Sequence, residues 1–172
     1  EGNWEWPEGH FVHWCPQDFP NNFIAEWEME ILNNKGLCIV FFGAKGSNGK
    51  DLFDQSLNKR KGHFGKYING DIDCYHISYF AYDRVSTNLR RNPGFFLTSN
   101  GPVGIKPSSQ GVQKVTLVKK NQHITLSVNN RKCLEYSDNT ELFGQAHTNG
   151  KIGFRQMYPA HTCFKSLKVW EI

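Results

Sequence analysis

Wherever the hydrophobic pattern of this chain is periodic, its period is two. Phe23, Ala25, Trp27, Met29 and Ile31 alternate with Glu26, Glu28 and Glu30. Successive strand side chains point to opposite faces, so Phe23–Leu32 predicts a half-buried strand. Asn33-Asn34-Lys35-Gly36 turns the chain, and Leu37–Phe42 is a continuous apolar run, which suits a strand buried on both faces. Further on, Val112–Lys119 and His123–Val128 alternate around Asn121-Gln122. Asn129-Asn130 then turns into a strand at Lys132–Tyr136, since Asn tolerates the left-handed conformations of hairpin turns. Thr148-Asn149-Gly150 precedes a strand at Ile152–Met157, and Cys163–Ile172 is the last. The first twenty residues, with Trp4, Trp6, Pro7, Pro16 and Pro20, predict irregular chain with a short strand at Phe11–Trp14.

The middle of the chain is organised around Asp71–Phe96. Ile72–Tyr82 is aromatic and β-branched without Gly or Pro, and predicts a strand. Tyr75, Ile77 and Tyr79 would share one face, and His76, Ser78 and Phe80 the other. A polar loop carrying Arg84, Asn88, Arg90, Arg91 and Asn92 is expected next, with Asn92-Pro93-Gly94 turning into a strand at Phe95–Ser99. Between Gly43 and Ile68 the pattern breaks down. Gly43, Gly46 and Gly49 lack the Lys-Ser/Thr pair of a phosphate loop. Asp51–Arg60 predicts one or two helical turns capped by Asp51 and pinned by Leu52, Phe53 and Leu57. About ten strands and no long amphipathic helix mean an all-β sandwich or barrel.

Composition narrows the function classes. A chain of 172 residues is expected to form one domain over 1–172. Twenty Lys and Arg against sixteen Asp and Glu give a net charge of only +4, which argues against nucleic acid. No stretch of ~18 apolar residues exists to span a membrane. The chain begins at Glu1 rather than Met, as a trimmed form would, and this leaves the compartment open. Cys15, Cys38, Cys74, Cys133 and Cys163 are scattered without a C-x-x-C pair, against a zinc site or a dense disulfide framework. No cofactor is expected. Asn69-Gly70-Asp71-Ile72-Asp73 offers oxygens to a structural calcium but lacks EF-hand spacing, so an Asp-rich turn comes first.

Several stretches together resemble a known family. They are Phe19-Pro20-Asn21-Asn22-Phe23 through Met29, Phe41-Phe42-Gly43-Ala44 with Gly49-Lys50-Asp51-Leu52-Phe53, and Arg60…Gly62…Tyr67…Asp71-Ile72…Tyr75 through Tyr79. Asn88-Leu89-Arg90-Arg91-Asn92-Pro93-Gly94-Phe95 and Gly150-Lys151-Ile152-Gly153-Phe154-Arg155-Gln156-Met157 complete the set. From about Phe11 to Ile172 the chain resembles the YesU-like family of bacterial proteins. The resemblance implies a concanavalin A-like jelly roll, that is, an antiparallel two-sheet β-sandwich. It also implies a concave, carbohydrate-facing sheet and a setting in bacterial polysaccharide breakdown. Fold does not fix function, so the site must come from the residues.

Three readings of the site follow, and the sequence leaves enzyme and lectin unseparated. Glu26 and Glu28 project from one strand face, and alternate residues ~6.6–7 Å apart can close to the ~5–5.5 Å that a retaining glycosidase needs. Glu-Trp-Glu-Met-Glu also looks like the Glu-x-Asp-x-Glu strand of jelly-roll glucanases, with Glu in place of Asp. A polysaccharide lyase would use His76 and Tyr79 as base and acid and Arg90 with Arg91 to neutralise a uronate carboxylate. These two would meet only across a bulge, because the regular strand parts them. The third reading is binding without chemistry, by Asn88, Arg90, Arg91, Asn92, Arg155, Gln156 and His161, with acidic sugars favoured by the Arg pair. A structural interaction domain with no sugar site is the bland alternative.

Overall fold

The computed structural model describes residues 10–172; the irregular start expected around Trp4 and Trp6 lies outside the described residues. Eleven strands are described: β1 (His10–Trp14), β2 (Phe23–Ile31), β3 (Leu37–Gly46), β4 (Ile72–Ala81), β5 (Ser86–Asn92) and β6 (Phe96–Pro102), then β7 (Val112–Lys120), β8 (His123–Val128), β9 (Arg131–Ser137), β10 (Lys151–Met157) and β11 (Thr162–Glu171). Two single-turn helices interrupt them, α1 (Gly65–Ile68) and α2 (Thr140–Phe143). All strand pairs are antiparallel, in a six-stranded sheet β1-β10-β3-β4-β5-β6 and a five-stranded sheet β11-β2-β7-β8-β9. The protein is an antiparallel two-sheet β-sandwich, as its alternation and turns predict.

The core lies between the sheets and is built by the predicted alternation. On β2, Phe23, Ala25, Trp27 and Met29 point inward and are at most 1% exposed, while Ile24 and the glutamates point out. Ile31 is only half-buried at the strand end. Opposite them, Val40 and Phe42 of β3 and Tyr75, Ile77 and Tyr79 of β4 complete the layer. Trp27 meets Tyr79 and Phe154 edge to face at 5.8 and 5.1 Å, the arrangement that ring quadrupoles favour. At the far edge, a Cβ on Gly101 would come within 1.9 Å of the Cys133 carbonyl, so only glycine lets β6 lie so close to β9. All five cysteines are free thiols, and burial raises that of Cys38 to about 12.

Two expectations need correction. Ser86–Asn92 is not a loop but β5, paired with β4 through Asn88–Asn92 and with β6 through Ser86–Arg91. Its charged residues hid the strand: Arg90 and Arg91 alternate between two polar environments, one on each face of the sheet. Asp51–Arg60 forms turns rather than a helix. Asp51 and Asp54 each accept the backbone N–H two residues on, at 2.7 and 2.8 Å, and these Asx turns compete with a helical turn. Leu52 is buried as a pin, whereas Phe53 is 47% exposed. The segment Leu52–Tyr67 lies over the outer face of the six-stranded sheet and forms a second apolar cluster with Ile39, Phe41, Ile72 and Cys74.

Candidate functional site

Strand register sets out the outer face of the six-stranded sheet row by row. One row runs Val12, Arg155, Ile39, Ser78, Asn88, Asn100, and the next Trp14, Gly153, Phe41, His76, Arg90, Leu97. The β1, β10 and β3 end is apolar and covered by Leu52, Phe64 and Tyr67. The β4 and β5 end is polar and carries Arg84 and Arg90, and Arg155 reaches towards it from β10.

Arg84, from the β4–β5 turn, donates Nη2 to Ser78 Oγ at 2.6 Å. With its amide oriented to satisfy both ends, Asn88 accepts from Arg84 Nη1 at 3.1 Å. Arg90 stacks its guanidinium on Phe95, 3.8 Å from the ring centroid, and donates Nη1 to the Phe95 carbonyl at 2.8 Å. Phe95 sits at φ +55°, a left-handed conformation rare for a bulky side chain, and this aims its ring at both Arg90 and His76. Arg155 lies across the face, stacked against Phe64 and Tyr67 at 5.1 and 5.0 Å.

His76 is the hub. It is 2% exposed, packed among Phe41, Phe64 and Phe95. Its Nδ1 faces the Asn92 amide nitrogen at 2.8 Å, so Asn92 donates and the ring proton sits on Nε2. Burial, then Arg90, Arg155 and Arg84, push its pKa down to about 3. A neutral imidazole among three cations follows. No carboxylate among the described residues comes within 4 Å of Arg84, Arg90 or Arg155.

The structure disperses the other expected site residues. Arg91 alternates with Arg90 and points between the sheets, where it donates to Asp138 Oδ2 at 2.7 Å and to the Gly144 and Gln145 carbonyls. Tyr75 and Tyr136 donate to the same carboxylate, and Asp138 is 4% exposed. Arg91 also lines an end cleft of about 370 Å³ together with Asp73, Phe143 and His147. A bulge does occur on β4, between Ser78 and Phe80, but it turns Phe80 inward and leaves Tyr79 in the core, apart from His76. Glu26 and Glu28 lie on the outer face of the five-stranded sheet, across the sandwich from His76. Glu26 pairs with Lys114 at 2.9 Å, which lowers its pKa, and Lys165 lies opposite Glu28. Gln156 bonds Ala160 and Thr162 to close the β10–β11 turn, and His161 is exposed in that turn. Asp71 accepts from Asn58 twice, at 2.6 and 3.0 Å, and so closes a turn. Among the described residues no three His, Cys, Asp or Glu side chains cluster to hold a metal, and no helix is long and apolar enough to cross a membrane.

A profile of the family described as a domain of unknown function, DUF1961, matches residues 3–169. The chain belongs to the DUF1961 family. This DUF1961 chain is 38% identical over 170 residues to the uncharacterized protein YesU of Bacillus subtilis strain 168, covering 94% of this chain and 77% of that one. The YesU-like resemblance carried by the residues is therefore a family relationship. A Bacillus subtilis protein of unknown function with a galectin-like fold superposes with a TM-score of 0.90 at 36% identity, over 94% of this chain and 77% of that one. At 10% identity only the fold is shared with the carbohydrate-binding module CBM66 of Bacillus subtilis, TM-score 0.60, over 95% of the DUF1961 chain and 83% of the module.

Ser78, Arg84, Phe64 and Phe95 were not among the candidate site residues, although the alternation places Ser78 on the face of His76 and Arg84 belongs to the same polar stretch. Phe64 comes from the irregular segment, which carries no periodic signal.

Proposed function

We propose that this protein binds an acidic oligo- or polysaccharide on the outer face of its six-stranded sheet, in the setting of bacterial polysaccharide breakdown. The observation that carries the reading is the convergence of Arg84, Arg90 and Arg155 on neutral His76 with no ion-paired carboxylate among the described residues. Unpaired guanidinium groups partly removed from water gain most from a carboxylate, which they hold by short, bidentate, charge-assisted bonds. Ser78 and Asn88 add hydroxyl and amide groups suited to sugar hydroxyls, and Phe95 an aromatic face. A fold shared with a carbohydrate-binding module supports the ligand class.

Binding fits this geometry better than either reaction. A proton-abstracting base needs an available lone pair and a pKa near the working pH. His76 has its Nδ1 lone pair occupied by Asn92 and a pKa near 3. On the opposite face, Glu26 sits beside Lys114 rather than in a cleft.

Arg90→Ala is expected to weaken binding of galacturonate or alginate oligomers by roughly 10–100-fold, the ~1.5–3 kcal/mol of a charge-assisted contact. Affinity should fall as salt rises, and Arg90→Lys should rescue poorly. Titration calorimetry against the same oligomers before and after carboxyl reduction is the check. Equal affinity for both forms would remove the acidic-sugar reading.

A further inference from the structure

We propose that Arg155 is the floor of a second, covered carboxylate subsite, occupied by a further uronate group of the same chain when the Lys61–Phe64 turn lifts. This rests on the reading of the outer face as an acidic-glycan site and extends it towards β10.

Arg155 is 1% exposed, yet its Nε and Nη1 groups have no acceptor among the described residues. Its one hydrogen bond among the described residues runs from Nη2 to the Gly62 carbonyl at 2.8 Å. A cation with five donors, buried on one neutral carbonyl, lacks the partner that burial of a charge calls for.

What covers the subsite resembles a ligand in chemistry. The Gly62 carbonyl stands where a carboxylate oxygen would sit. It is aimed there by two consecutive left-handed residues, Lys61 at φ +46° and Gly62 at φ +79°. The Phe64 ring fills the gap between Arg155 and His76, 5.1 and 6.1 Å from each, where the apolar face of a pyranose would stack. Arg60 Nη2 to the Leu52 carbonyl ties one end of the covering segment. Tyr67, in the apolar cluster, and Ile68, whose carbonyl accepts from the Gly94 N–H at 2.8 Å, tie the other, so the part that lifts is the Lys61–Phe64 turn between them. Lys59, Arg60, Lys61 and Lys66 would attract a polyanion rather than repel it.

The test measures affinity for a galacturonate oligomer and for its carboxyl-reduced form in wild type, Arg90→Ala, Arg155→Gln and Phe64→Ala, with a thermal melt of each. Arg155→Gln should lose about tenfold or more of the preference for the charged oligomer. Phe64→Ala, which removes the plug, should bind the charged oligomer roughly threefold or more tightly, because less of the protein is held in the covered state. If Arg155→Gln does not fold, Phe64→Ala decides. Unchanged affinities in both variants, with Arg90→Ala still weakened, would overturn this inference alone. Failure of the wild type to bind any uronate would overturn the reading beneath it as well.

Discussion

Arg91→Ala is expected to destabilise the fold by about 3–5 kcal/mol and to leave glycan affinity within about twofold of wild type. Arg91 and Asp138 are 7% and 0% exposed at their side chains. Removing the guanidinium leaves a buried carboxylate facing two tyrosine hydroxyls and no cation, and strands the Gly144 and Gln145 carbonyls. The adjacent Arg90 should behave in the opposite way, with a change in affinity and little in stability, because its guanidinium rests on Phe95 at the half-buried outer face. Urea denaturation of both single variants checks the contrast. In Arg91→Ala/Asp138→Asn the two losses should fall short of their sum, since the residues share one network. A loss below ~1 kcal/mol for Arg91→Ala would mean that the cluster is not a structural anchor.

Stability should also fall steeply in mild acid. Burial lowers the pKa of His76 to about 3 and, with Arg91, that of His147 to about 4. Both histidines titrate near 6.5 once unfolded. Between pH 6.5 and 4 the unfolded chain therefore binds protons that the folded chain refuses, so folding stability rises with pH across that window. The slope approaches about 1.4 kcal/mol per pH unit for each histidine, and a drop from pH 6.5 to 4.5 should cost a few kcal/mol. Carboxylates held low in the fold, such as Asp71, add to the loss only near and below their own unfolded values. Asp73, raised by burial, acts in the other direction. Chemical denaturation from pH 7 to 4.5 should show the slope, and His76→Gln should remove about half of it. A stability flat over that range would contradict the burial of both rings in neutral form.

The alternation of β2, β7 and β8 was legible because each strand has one wet and one dry face, and period two is the only regularity that such a strand can have. β5 was not legible, because Leu89 alone marks its inner face as apolar: Arg90 goes to the outer face and Arg91 to a buried carboxylate contributed by the β9–β10 connection. No local pattern encodes a partner 47 residues away. The same limit applies to the site. His76 and Arg90 were visible as residue types in one stretch, and they are direct neighbours across β4 and β5. That Arg155 approaches them depends on sheet order, in which β10 sits two strands from β4. Phe64, which links them, depends on how an aperiodic segment folds over the sheet. Glu26, Glu28 and Glu30 carried a clear pattern, but the pattern records only which face of β2 is wet.

The central claim is a location, and the most direct measurement is a residue-resolved one. Amide and arginine side-chain NMR shifts should be followed while the labelled protein is titrated with a galacturonate oligomer. The perturbations should centre on Ser78, Arg84, Asn88, Arg90 and Phe95, on the outer face of the six-stranded sheet. Perturbations centred instead on Glu26, Glu28 and Lys114, on the opposite face of the sandwich, would contradict the account.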